Sequence, residues 1–403
     1  MARRIHCGIN TDPANSQGNP SVQELQDLGA TWVRFTFKDD SDGPQPSSFG
    51  RYDDVVRDLN AAGIDVLMIL SYETYPHKPA KDADEQTWNT YGNKFVARCR
   101  QVAEHYGPQV KAYQIWNEPD FQAPSPTYDP CVRAEIYGPL LKSVYLAIKE
   151  VSSAMVVVGG LAAGYPPYIQ EMRATTAGVL HADVVGVHPY GRRPTADWPR
   201  SDWGFGIIGE LIQQYHAFAA KPIWITEMGT NDLAVQDEFP GRTFEVLNES
   251  LAEVATHVFW FCWSDGMVTP YGVIDAGGAK KNSYSSFKDF ATMPPETTPV
   301  GPLVVGYQSH YVLFPGGAPW AWYEASRKYF RKYRVTRGES LDDAAKVHGT
   351  LGHTITCINP ADDGLAYLRQ LNPEAKLDII RITSAAELEA IMNHRAENDL
   401  RFG

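Results

Sequence analysis

Several things are scarce or missing in this sequence, and each absence narrows what it encodes. The five cysteines, Cys7, Cys99, Cys131, Cys262 and Cys357, are odd in number, widely scattered and free of any C-x-x-C spacing. Neither a disulfide framework nor a zinc site is indicated, no metal is called for, and buried thiols are expected. No stretch approaches the roughly 18 uninterrupted apolar residues of a membrane span, so no membrane partner is expected. The start, Met1 to His6, lacks the apolar middle region of a secretory signal, which leaves the compartment open between cytoplasmic and secreted after processing. Positive charge is in deficit, with 36 Lys and Arg against 48 Asp and Glu and a net charge of −12. From residue 303 onward the two signs balance at 12 each, so the whole excess lies upstream. Phosphate backbones select basic faces; nucleic acid is therefore not expected as a ligand, and a neutral or weakly charged substrate fits better. There is no repeat of 20–50 residues, no extended low-complexity tract and no signal for oligomeric state.

What is present is a chain of 403 residues with 43% hydrophobic and 21% charged content, enough to bury a sizeable core. From residue 1 to about 290, short apolar runs alternate with longer amphipathic stretches, the pattern of a parallel sheet crossed by helices. Eight strand candidates fall at 4–9, 32–37, 65–70, 110–116, 155–159, 184–188, 222–226 and 257–263, the number that a (β/α)8 TIM barrel needs. Helices are expected at 21–30, where Ser21 and Glu24 form a capping box, and at 51–62, stopped by Gly63. Others are expected near 85–106, 131–151, 167–180, 206–219 and 245–255. Residues 291–302, rich in Pro and Thr, read as a semi-rigid linker. Residues 303–403 alternate again, with strands at 310–314, 354–358 and 377–382 and helices at 320–333, 341–348, 361–371 and 384–395, a small α/β accessory domain of three or four strands.

Two strand ends carry chemistry. Ile115-Trp116-Asn117-Glu118-Pro119-Asp120 closes the fourth candidate with a carboxylate followed by a proline that forces the chain out of the strand. Ile223-Trp224-Ile225-Thr226-Glu227 closes the seventh with another. In a parallel barrel the carboxyl ends of the strands form the site, and glycoside cleavage needs two carboxyl groups across one bond, about 5 Å apart when one attacks the anomeric carbon directly.

On these motifs the first 290 residues or so resemble clan A of the glycoside hydrolases, closest in motif mix to β-xylosidases and exopolysaccharide hydrolases. The resemblance implies a retaining hydrolase of β-glycosidic bonds, or of the α-L-arabinosidic equivalent, in an oligo- or polysaccharide. No cofactor is implied. Glu118 would be the acid/base, Glu227 the nucleophile, and Asn117 a hydrogen-bond partner of the sugar 2-hydroxyl. The resemblance further implies that Arg34 pairs with the nucleophile, His188 lines the site, Tyr190 hydrogen-bonds the nucleophile and Trp263 floors the sugar subsite. Of the aromatics near the mouth, Tyr72 and Phe121 are the best placed for further subsites, ahead of Tyr75, Trp88, Tyr128, Trp198, Trp203 and Tyr271.

Other signals are weaker. The G-x-G-x-x-G of Gly204 to Gly209 follows no apolar strand, so it is not read as a dinucleotide site. His181, Asp183 and His188 have no zinc spacing, and the triplet at Asn248 falls in a helix. The basic run Arg327, Lys328, Arg331, Lys332, Arg334 and Arg337 reads as a solvated face with aromatic core contacts. Two rival functions stand beside this one: transfer of the sugar to another carbohydrate by the same residues, and, from a different class, a non-catalytic carbohydrate-binding barrel.

Overall fold

A computed structural model of the chain describes residues 3–122, 129–162, 164–190, 208–237, 239–295, 309–333, 335–345 and 353–402. Eight parallel strands, His6–Asn10 (β1), Trp32–Thr36 (β2), Asp65–Leu70 (β3), Ala112–Ile115 (β4), Met155–Leu161 (β5), Val184–Val187 (β6), Ile223–Met228 (β7) and Ala255–Trp260 (β8), pair in sequence order. β8 returns to β1, with Gly8 level with Phe259, and the barrel closes. Around it run Val22–Leu28 (α1), Phe49–Ala61 (α2), Glu85–Tyr106 (α3), Ala134–Val151 (α4), Pro167–Ala174 (α5), Ile208–Ala219 (α6), Phe239–Ser250 (α7) and Asn282–Ala291 (α8). The Ser21–Glu24 capping box starts α1, and Gly29 ends it at φ 81°, a backbone angle glycine adopts without a Cβ penalty.

Strand side chains alternate between the helical layer and the interior, and the interior changes character along the strands. At the amino end Trp32, Leu67, Ala112, Val157, Val184, Trp224 and Phe259 fill it as one apolar layer. Gly8 belongs to the same level because a Cβ there would lie 2.4 Å from the Phe259 ring. Two residues further toward the carboxyl ends the inward positions become polar: Asn10, Arg34, Gln114 and Thr226 are all buried. The apolar plug therefore forms the floor, and the polar layer lies under the mouth. All five cysteines are buried free thiols.

A second sheet follows, built from Ser309–Leu313 (β9), Thr336–Gly338 (β10), His353–Ile358 (β11) and Lys376–Ile380 (β12) in the order β10-β9-β11-β12, all parallel. Its helices are Trp320–Ala325 (α9), Arg327–Tyr333 (α10), Leu341–Ala345 (α11), Asp362–Leu371 (α12) and Ala385–Glu397 (α13).

Three expectations differ from the structure. The helix placed at 245–255 is α7, which begins at Phe239 with Pro240 in its first turn, a position proline favours, and Ala255 already opens β8. The helix placed at 320–333 is broken at Ser326, whose hydroxyl bonds the Trp322 carbonyl at 3.0 Å. α8 and the three-residue β10 were not anticipated, the latter being too short to show alternation. Most of the 291–302 segment and the 204–207 glycine motif lie outside the described residues.

The basic run is not simply a solvated face. Arg327 of α10 pairs with Glu245 and Glu249 of α7, the latter at 2.5 Å. Arg337, only 5% exposed, approaches Glu249 at 3.8 Å and lies 4.4 Å from the centre of the Phe330 ring. A buried carboxylate therefore joins the small domain to the barrel. Removing one member of a buried charge cluster leaves the other desolvated, so Glu249→Ala should cost about 3 kcal/mol. Thermal unfolding checks this; an unchanged midpoint would show that the junction contributes nothing to stability.

Candidate active site

The fourth strand leaves the barrel through an unusual turn. Trp116 and Glu118 both hold positive φ, 73° and 52°, which costs non-glycine residues roughly 1–3 kcal/mol each and persists only where neighbours enforce it. The enforcement is visible. The Trp116 indole donates to the Pro130 carbonyl at 2.7 Å and packs among Tyr72, Trp88, Tyr91 and Phe95. Tyr137 donates to the Ile115 carbonyl at 2.5 Å and accepts from the Gly159 N–H at 3.0 Å. Asp120 accepts from the Ala162 N–H at 2.9 Å and ties the turn to the end of β5. With its flanks pinned, the turn presents Asn117 and Glu118 together at the mouth.

Arg34, 1% exposed, is the centre of the polar layer. Its Nη1 donates to Glu227 Oε1 at 2.7 Å and to Asn10 Oδ1 at 2.5 Å, its Nε to Gln114 Oε1 at 2.9 Å, and its Nη2 to Asn117 Oδ1 at 2.8 Å. The Tyr190 hydroxyl donates to the other oxygen of Glu227. Burial by itself pushes the Glu227 carboxyl up, but the charges of His188 and Arg34 and the hydrogen bonds from Tyr190 and Arg34 outweigh it and hold the group below the usual carboxylate range. Tyr190 moves the other way: burial and the adjacent Glu227 charge keep its phenol protonated, and hence a donor.

His188 stands between the two carboxyl groups. Its Nδ1 is 2.9 Å from Glu118 Oε1, and its Nε2 is 3.6 Å from Glu227 Oε1 and 3.4 Å from Arg34 Nη2. The imidazole therefore touches both carboxyl groups and the guanidinium. One donor atom from each of Glu118, His188 and Glu227 lies within 4.8 Å of the others. That spacing would also suit a metal ion, but both oxygens of Glu227 are already engaged by Arg34 and Tyr190. Gly160 on β5 makes the room for this imidazole: a Cβ there would lie 2.0 Å from Nε2.

The structure thus gathers Arg34, Asn117, Glu118, His188, Tyr190 and Glu227 into one cluster at the carboxyl ends of the strands. Trp263 is not part of it. It is 3% exposed and packs at 67° to Tyr284 of α8, within the core between barrel and helices, so it cannot floor a sugar. Two residues beyond the inward-facing Phe259, the ring at this strand end that meets the site is Phe261, 5.8 Å from both Tyr190 and Tyr271. Tyr72 is half-buried against Trp116, and Phe121 follows the Glu118 turn with its N–H on the Glu118 carbonyl at 3.1 Å. Tyr75 and Trp88 belong to the core; Tyr128, Trp198 and Trp203 lie outside the described residues.

Sequence reasoning missed Asn10, Gln114 and Phe261, and ranked Tyr271 behind Tyr72 and Phe121. For Asn10 and Gln114 a signal existed: each is a lone amide in an apolar strand run, two residues on from an interior position.

The family model for the glycosyl hydrolase catalytic core matches residues 51–272. No curated protein matches the chain. Among solved structures, a family 39 glycoside hydrolase from the gut symbiont Bacteroides cellulosilyticus is 20% identical with a TM-score of 0.53, over 72% of this chain and 64% of that one, a little under two thirds of its length. A subfamily 18 member of glycoside hydrolase family 5 from Streptomyces cattleya, a variant in complex with Manβ1-4GlcNAc, is 14% identical with a TM-score of 0.56, over 94% of this chain and 99% of that one. A xylanase A variant from P. fluorescens subsp. cellulosa in complex with xylopentaose is 14% identical with a TM-score of 0.51, over 72% and 95%. At such identities these structures share the fold alone. The family match spans more than half of the chain, and this protein belongs to the glycosyl hydrolases of that catalytic core.

Proposed function

We propose that the protein cleaves β-glycosidic bonds of an oligo- or polysaccharide with retention of configuration, Glu227 acting as nucleophile and Glu118 as acid/base. The observation that carries this reading is the approach of the two carboxyl groups to within 4.8 Å. Direct attack needs a separation of about 5 Å, whereas an inverting pair stands roughly 6.5–9.5 Å apart to admit a water.

Glu227, held ionised by Arg34 and Tyr190, attacks the anomeric carbon as the glycosidic C–O bond breaks and Glu118 gives its proton to the leaving oxygen. A water then enters, Glu118 takes one of its protons, and the resulting nucleophile displaces Glu227 from the sugar. Asn117 has its oxygen turned to Arg34 and Gln114, which leaves its amide N–H2 to hydrogen-bond the sugar 2-hydroxyl.

Proton NMR of a cleavage reaction tests this directly, using aryl β-xylosides, β-glucosides, β-mannosides and α-L-arabinosides beside β-1,4-linked polysaccharides. The first-formed sugar should carry the substrate's own anomeric configuration. Initial appearance of the opposite anomer would overturn the mechanism.

The pH dependence follows from the same contacts. A carboxyl held below its ordinary 4.5 stays ionised as pH falls, so the acid limb of kcat/KM should lie below that value. Arg34→Gln removes a charge and a hydrogen bond that favour the ionised form, so the limb should move to higher pH. A limb that stays in place would show that Arg34 does not set the ionisation of Glu227.

A further inference from the structure

The C-terminal sheet has a crevice of its own. β9 passes to β10 through α9 and α10 on one face, over a core that includes Val312, Phe330, Leu388 and Met392. β11 passes to β12 through α12 on the opposite face, over Tyr311, Ile355, Leu365 and Leu368. β9 and β11 are hydrogen-bonded neighbours, so the loops leaving their carboxyl ends diverge. That divergence is the switch point at which open parallel sheets hold ligands. A cavity of about 530 Å³ opens there, a volume ordinary for small-molecule sites. Leu313, Phe314 and Ile358 form its floor, and Glu339, Asp363 and Tyr367 stand around it.

The chemistry of the lining selects the occupant. Among the described residues that line the cavity, every charged side chain is acidic. In the loop after β9 the N–H groups of Gly317 and Ala318 are taken by Glu339 at 2.7 and 2.8 Å, and the α12 N-terminus carries Asp362 and Asp363 in its first turn, whose charges disfavour an anion. The Asn359 side chain is spent on both backbone groups of Ile382, and the Tyr367 hydroxyl donates to Asp342 at 2.7 Å. The polar side chains left around the space offer oxygen acceptors above an apolar floor. A fitting ligand brings hydrogen-bond donors, an apolar face and no negative charge.

We infer that this crevice binds an uncharged sugar ring, its hydroxyls donating to Glu339, Asp363 and the Tyr367 oxygen and its C–H face lying on the apolar floor. The choice of sugar over other donor-rich ligands rests on the glycosidase reading of the barrel. The small domain then holds the chain on the polymer that the barrel cleaves. Gly364 lines the wall, and a Cβ there meets nothing closer than Leu341 at 3.6 Å, so a large side chain can grow into the space.

The test uses the full chain carrying Glu227→Ala, titrated calorimetrically with xylohexaose, cellohexaose and mannohexaose, alone and with Gly364→Trp or, as a milder change, Tyr367→Ala. A binding event separate from the barrel cleft is expected, weakened at least about tenfold by either substitution. In the catalytically intact protein the same substitutions should leave kcat/KM on a short aryl glycoside unchanged while lowering activity on polymer. Titrations insensitive to both substitutions overturn the proposal and leave the barrel reading intact. If no glycoside is cleaved but the second event is present and lost with Gly364→Trp, the barrel reading falls and this one stands. Saturation of the crevice by inorganic phosphate, AMP or spermidine, in place of the hexaoses, overturns the ligand class.

Discussion

On the proposed mechanism Glu227→Ala should lower kcat on an aryl β-glycoside by on the order of 10⁴-fold or more, over 5 kcal/mol of barrier, because it removes the group that forms the covalent intermediate. Arg34, Tyr190 and His188 remain around the vacated carboxylate. Their positive and donating atoms suit a small anion. Azide supplied to this variant should therefore restore turnover and yield the glycosyl azide of inverted configuration, attacked from the face that Glu227 occupied. Glu118→Ala should behave differently. A leaving group such as dinitrophenolate departs without a proton, so the first step survives and the second stalls, and azide should then give the azide of retained configuration. Exchange of the two stereochemical outcomes would reverse the roles assigned here; Glu variants as active as the parent would abolish them.

The second large effect is expected at a residue that has no side chain of its own. Gly160→Ala places a Cβ about 2 Å from His188 Nε2, at a backbone position with φ 22°. Neither the strand nor the imidazole can absorb so close a contact in place, so His188 must turn away from Glu118 and Arg34. Displacement of a site residue by about 1 Å can cost 10²-fold, and a loss of about 10² in kcat/KM is expected. The cause is separable from general damage to β5. If the clash with His188 is responsible, Gly160→Ala added to His188→Ala should cost little beyond His188→Ala alone, since the imidazole is no longer there to meet. Fully additive losses would place the fault in the strand backbone.

Much of the barrel is written locally. β3 was legible to the residue, from Asp65 to Leu70, because an apolar run bounded by Gly63 and a polar loop needs no distant partner to be recognised. Asn117-Glu118-Pro119 was legible because proline ends a strand, and Glu227 because an apolar run ends on a carboxylate. Where local pattern is thin, as in β10 or at the break at Ser326, the reading failed. Trp263 failed for another reason. β8 ends at Trp260, the inward and outward alternation lapses beyond it, and the indole swings to Tyr284 while Phe261 meets Tyr190.

The sequence by itself determined the class of fold, the place of Glu118 and Glu227 at strand ends and the family, since hydrophobic periodicity and strand-end motifs are carried by residues adjacent in the chain. Only the tertiary structure decided that Asn10, Arg34, Gln114, Asn117, His188 and Glu227 form one network, that Gly160 clears space for His188, and that Arg337 is buried at a domain junction. These facts depend on which residue of one strand lies level with which residue of the next. That level is set by the stagger with which eight strands close into a ring, and no single strand carries it.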